Sequence, residues 1–219
     1  MQRSIITVSP AWRAFAAASS PYLVTLYDAG QQDGSFFYAM EYFPLGSLAA
    51  PATPMTRERV LTAVAQAARA AHALHEAGVV HRSIKPENVL LAQDGARLSD
   101  LGLAQALAPG QTVTGLGPVG TVEYLEPGQL MGERGSRASD LWSLGITLHR
   151  ALTGVGVYGN LSTTDPLLAV RAVLSSRPQL SSALDPRDAD VIARCLAPQA
   201  VDRPATAEAL ALELEALSE

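Results

Sequence analysis

The period of apolar and polar positions changes several times along this chain, and each change predicts an element. Residues 3–8 (RSIITV) are β-rich and stop at Ser9-Pro10, which predicts one short strand. Residues 11–18 (AWRAFAAA) suit a helix of two turns at most, ended by Ser-Ser-Pro. Two aromatic, apolar runs within 22–43 flank Gln31-Gln32-Asp33-Gly34, the signature of a β-hairpin. A turn-rich stretch, PLGSLAAPATP, reads as a linker. From Arg57 to Ala77 apolar residues recur at three and four spacing, so a long core helix is expected there, closed by Gly78. The runs VLLA and ARLS around Gln93-Asp94-Gly95 predict two further strands, and 109–121 is a Gly/Pro/Thr-rich loop. Helical periodicity then fills 138–153, 165–175, 186–196 and 206–217, with Asp185-Pro186 and Thr206 as openings. The expectation is an α+β protein, a small β-rich piece followed by a larger helical one.

Composition narrows this picture. The chain has 219 residues, is 48% hydrophobic and 17% charged, and can bury one full core. A formal charge of −5 argues against a nucleic-acid or anionic-membrane surface. No apolar run is long enough to span a bilayer, and no secretory leader pattern opens the chain. Cys195, the single cysteine, lies in an apolar helical pattern (VIARCL) and reads as a buried structural thiol in a cytoplasmic setting. Of the 16 basic residues only one is a lysine, Lys85.

That lysine stands inside HALHEAGVVHRSIKPENVLL, and other ordered motifs surround it: MEYFPLGSL, SDLGLA, GTVEYLEPGQL, SDLWSLGITLHRALTG and CLAPQAVDRPATA. Together they resemble the bacterial Hanks-type, eukaryotic-like Ser/Thr protein kinase family from about Ile5 to the C-terminus. The resemblance implies a kinase-like fold with a reduced N-lobe of about three strands and a short αC helix (1–43), a complete helical C-lobe (44–219), and a single domain over 1–219. It also implies which positions to inspect for phosphoryl transfer, which needs phosphates held, Mg²⁺ placed and the attacking hydroxyl aligned.

Several of those positions depart from the family pattern. No glycine precedes residue 30, so the Gly-rich phosphate cover is missing. Thr7 falls where the strand lysine belongs, and the αC glutamate position falls near Ala11. Ser83 replaces the aspartate that serves as base, and a hydroxyl has no useful basicity near neutral pH. Asn88 and Asp100 match the Mg²⁺ ligands and Lys85 the residue that touches the transferred phosphate, a vestigial set that either knits the loop together by hydrogen bonds and a salt bridge or takes ATP and Mg²⁺ weakly. His81 matches a packed core histidine, and Asp140 a buried anchor for the catalytic loop. Arg203 usually pairs with a glutamate that is Gly128 here, so Glu126 is expected to take over. His72, His75 and His149 read as helix-surface or packing residues. Thr112, Thr114 and Thr121 are candidate phosphosites, and Arg82 the residue that would receive a phosphate.

The expectation from these losses is a non-enzyme: a catalytically inactive pseudokinase that works as a scaffold and needs no cofactor. Its partners would be a phosphothreonine-reading (FHA-type) domain or an active Ser/Thr kinase, and it would self-associate through the thin N-lobe. The alternative is a degenerate kinase that keeps weak ATP/Mg²⁺ binding or residual phosphotransfer.

Overall fold

The computed structural model describes residues 18, 20–32, 35–100, 119–162 and 164–219. The strand expected at 3–8 and the helix at 11–18 lie outside them. Within them, β1 (Leu26–Gln32) and β2 (Ser35–Met40) pair antiparallel, with Gln32 opposite Ser35. The chain then enters a second sheet of order β4-β3-β5-β6, formed by β3 (Gly46–Ser47), β4 (Ala50–Pro51), β5 (Val89–Ala92) and β6 (Gly95–Leu98). The linker reading of 44–54 is corrected here: Ser47 pairs with Leu90, and the tight β3–β4 turn needs Gly46 at φ +79°. A Cβ at that glycine would lie 2.2 Å from the Ala50 carbonyl oxygen. No periodicity could show strands of two residues, since their pairing is decided by β5, forty residues away.

Helix α1 (Arg57–Glu76) starts at the N-cap Thr56, whose hydroxyl accepts from Arg59 N, and is followed by Gly78 in the left-handed region at φ +76°. Six of its alanines are at most 3% exposed (Ala63, Ala65, Ala67, Ala68, Ala70 and Ala71), so the helix is buried on nearly every side. Small side chains allow that: α3, α6 and β6 all approach it closely. Gln66 on α1 accepts from Ala96 N at 2.6 Å and pins the β5–β6 hairpin, while Arg69 reaches Glu215 of α6 at 2.7 Å. Leu61 and Leu74 are fully buried, each worth roughly 1.5–3 kcal/mol of burial.

Residues 119–124 form a 3-10 turn that leads into the short α2 (Pro127–Leu130), structure that the loop reading of 109–121 did not anticipate. The remaining helices follow the sequence expectation closely: α3 (Arg137–Thr153), α4 (Pro166–Ser175), α5 (Pro186–Cys195) and α6 (Ala207–Ser218). Their N-caps Ser136, Asp165, Asp185 and Thr206 each accept a backbone N–H. Cys195 is buried against Gly145 of α3, whose Cβ would meet it at 2.6 Å. The result is the kinase-like α+β arrangement, a small sheet lobe ahead of a helical lobe.

Candidate active site

Residues 79–88 leave α1 and return as β5, and their backbone is held from beneath by one carboxylate. Asp140, in the first turn of α3, is fully buried. Its Oδ1 accepts from Arg82 N at 2.9 Å, and its Oδ2 accepts from His81 N and His75 Nε2, each at 2.8 Å. Three donors satisfy a charge that burial alone would penalise. His75 therefore does more than pack: it closes this network from α1, at a position where the surrounding alanine run hides any polar signal. His81 is buried as well. Its Nε2–H donates to Ser99 O at 3.1 Å and its Nδ1 accepts from Ser83 N at 3.2 Å, which defines a neutral ring. Burial pushes its pKa below the ordinary histidine value, with Asp140 opposing that shift.

Two strained residues frame the loop. Among the described residues, only Arg82 (φ 65°) and Asp100 (φ 57°) are non-glycine positions in the left-handed region. Such conformations cost about 1–3 kcal/mol each and persist where the surroundings force them. Asp140 forces the first by holding the amides of His81 and Arg82. The second follows β6, where Ser99 N and Ser99 Oγ both donate to Asn88 O, at 2.8 and 3.1 Å. That contact extends the β5–β6 ladder by one rung, to Asn88 and Ser99.

Asn88 is buried and its amide is oriented without ambiguity. Nδ2 donates to Ser83 O at 2.7 Å and to Ser83 Oγ at 3.1 Å. The carbonyl acceptor fixes which atom is nitrogen, and Oδ1 is left without a donor among the described residues. Lys85 and Asp100, both half-buried, are likewise in no ion pair or side-chain hydrogen bond among the described residues. A carboxylate and an amide oxygen suit a hard cation such as Mg²⁺, and an ammonium suits a phosphate.

Beyond the loop, Arg203 is fully enclosed. It donates to Ala197 O, Ala138 O and Glu126 Oε1 at 2.9, 2.8 and 2.5 Å, and stacks 5.1 Å over Trp142. Glu126 also caps α2, so one side chain secures the 119–130 segment to the helical lobe. Thr121 is half-buried in the preceding turn. Arg82 is exposed, its stem resting over Gly135. Thr7, Ala11, Thr112 and Thr114 lie outside the described residues. One residue escaped sequence reasoning: Glu123, only 9% exposed, accepts from Val157 N at 3.1 Å and lies 3.7 Å from Arg150. Nothing in a GTVEY string marks its glutamate as buried.

Comparison with known families and proteins decides what this geometry belongs to. The model of the protein kinase domain matches residues 12–214. The chain belongs to the protein kinase family. It is 32% identical over 215 residues to the serine/threonine-protein kinase PknL of Mycobacterium tuberculosis, covering 94% of this chain and 53% of that protein. PknH of Mycobacterium bovis is 34% identical over 210 residues, with 91% and 34% covered, and pkn3 of Myxococcus xanthus is 30% identical over 232, with 99% and 42% covered. This chain thus spans about half the length of these kinases or less, and its family branch is the bacterial Hanks-type Ser/Thr kinases.

These matches correct the expectation of a non-enzyme. A kinase domain matching nearly the whole chain, with relatives named as Ser/Thr kinases, points to an enzyme. The physical error lay in treating lost parts as lost reaction. A base changes the rate by about 10²–10⁴, and phosphoryl transfer depends chiefly on positioning and charge neutralisation.

Proposed function

We propose that this domain transfers the γ-phosphoryl group of ATP to serine or threonine hydroxyls of protein substrates, at an attenuated rate set by Ser83. The observation that carries the reading is that, among the described residues, Lys85, Asp100 and Asn88 Oδ1 have no ion-pair or hydrogen-bond partner around a strained loop anchored by Asp140. Asp100 and Asn88 Oδ1 would hold Mg²⁺, which supplies neutralisation of the phosphate charge. Lys85 would meet the transferred phosphoryl group. The substrate hydroxyl oxygen bonds to phosphorus as the bond to the ADP oxygen breaks, and the electron pair leaves on ADP. Ser83 can hydrogen-bond to the incoming hydroxyl but cannot take its proton, which passes to a phosphoryl oxygen or to water. Residues 1–43 form the smaller lobe on this reading, with nucleotide between it and 44–219, and a domain that uses ATP belongs in the cytoplasm.

Arg82, exposed and without an ion pair among the described residues, would receive a phosphate on Thr112, Thr114 or Thr121. Such a phosphothreonine is also what an FHA-type partner would read, and the small lobe is the surface through which two copies would associate. The deciding test is ATP-dependent phosphorylation of self and of a basic protein substrate with Mg²⁺ or Mn²⁺. Transfer that vanishes in Asp100→Ala is the expected result; its absence in the native chain would overturn the proposal.

A further inference from the structure

Between α1, the first turn of α3 and the segment 200–207 lies a cavity of about 350 Å³, within the range that holds small molecules. His72, His75 and Arg137 bring polar groups to its lining, buried Leu141 and half-buried Pro204 add apolar surface, and the exposed Val201 stands at its rim. No aspartate or glutamate lines it, although the chain carries a formal charge of −5. Arg137 donates to His75 O and, at 3.2 Å, to Glu76, but that ion pair is 58% and 63% exposed. A pair so open to water is worth little and can be exchanged for another carboxylate.

The walls are also the two anchors of the catalytic machinery. His75 bonds Asp140, which holds the amides of His81 and Arg82; Arg203, also in the lining, holds Glu126. An occupant touching His75 and Arg137 therefore acts on the catalytic loop through a single carboxylate. We infer that this cavity is a regulatory site for a small carboxylate with an apolar body. Its regulatory role rests on the phosphotransfer reading; its binding role does not.

Calorimetric titration of the full chain without nucleotide, using cinnamate and its uncharged isostere cinnamamide, tests the site. Cinnamate should bind saturably. Cinnamamide should bind about tenfold more weakly, as should cinnamate to Arg137→Gln, the loss of one charge-assisted contact. Ala205→Trp, at an exposed position of the wall, should abolish binding while leaving every hydrogen bond of the network in place. Absence of saturable binding, equal affinity for acid and amide, or indifference to both substitutions would overturn the site. Hydrogen exchange at the His81 and Arg82 amides reads the coupling: their protection should rise with cinnamate, and unchanged exchange with binding intact would overturn the regulatory role. Binding and protection without any phosphotransfer activity would instead refute the enzyme reading and leave the site standing.

Discussion

On the proposed phosphotransfer reading, Ser83→Asp should raise the rate of transfer. The position is prepared for a carboxylate. Asn88 Nδ2 already donates to Ser83 O and Oγ at 2.7 and 3.1 Å, and Ser83 N donates to the neutral His81 ring at 3.2 Å, so the backbone that would present an aspartate is in place. The site is half-buried, so a new carboxylate stays partly hydrated and its pKa remains low enough to act as a base near neutral pH. A positioned base contributes about 10²–10⁴ in rate, which corresponds to roughly 2.7–5.5 kcal/mol of barrier at 1.36 kcal/mol per tenfold. The assay is initial-rate transfer from ATP to a protein substrate at saturating MgATP, with Asp100→Ala as the blank and Ser83→Asn as the isostere without basicity. Ser83→Asp should raise kcat within that range with little change in KM for ATP, and Ser83→Asn should stay at the native rate. A folded, nucleotide-binding Ser83→Asp with an unchanged kcat, or an equal gain in Ser83→Asn, would show that the missing base does not limit this domain.

Three further outcomes test the framework. Glu126→Ala leaves the enclosed Arg203 guanidinium without its counter-charge, and breaking a buried pair in this way should lower unfolding stability by about 3 kcal/mol in urea titration. Gly46→Ala forces a Cβ to within 2.2 Å of Ala50 O at a positive φ, so the thermal midpoint should fall by an amount equivalent to about 1–3 kcal/mol; an unshifted midpoint would mean that the β3–β4 turn relaxes freely. Burial raises the Glu123 carboxyl above its ordinary 4.5, with Arg150 and the Val157 amide opposing the shift. The folded state thus favours the protonated form, and ionisation removes stability as pH climbs from 4.5 through the raised folded value. The urea midpoint of Glu123→Gln should therefore exceed the native one by a margin that widens over that interval, and a constant margin would refute the sign.

Sequence alone determined the pieces whose causes are local. Helix ends at Asp185-Pro186 and Thr206, the β1–β2 and β5–β6 hairpins, and the Ser83–Asn88 loop depend on caps, turns and residues a few positions apart. The same closeness made the substitution at Ser83 legible, and the lone Lys85 with it. What it could not settle was whether Lys85, Asn88 and Asp100 were spent on one another, because free and paired side chains look alike in a string of letters. Among the described residues the tertiary structure shows no pairing of Lys85 with Asp100, and it decided the strand pairing of Ser47 with Leu90, the burial of Glu123, and the joint grip of Asp140 on His75, His81 and Arg82. These features link residues from about thirty to sixty-five positions apart. Their partners are chosen by how α1, α3 and the sheets pack, and a buried carboxylate takes whatever donors that packing brings within reach.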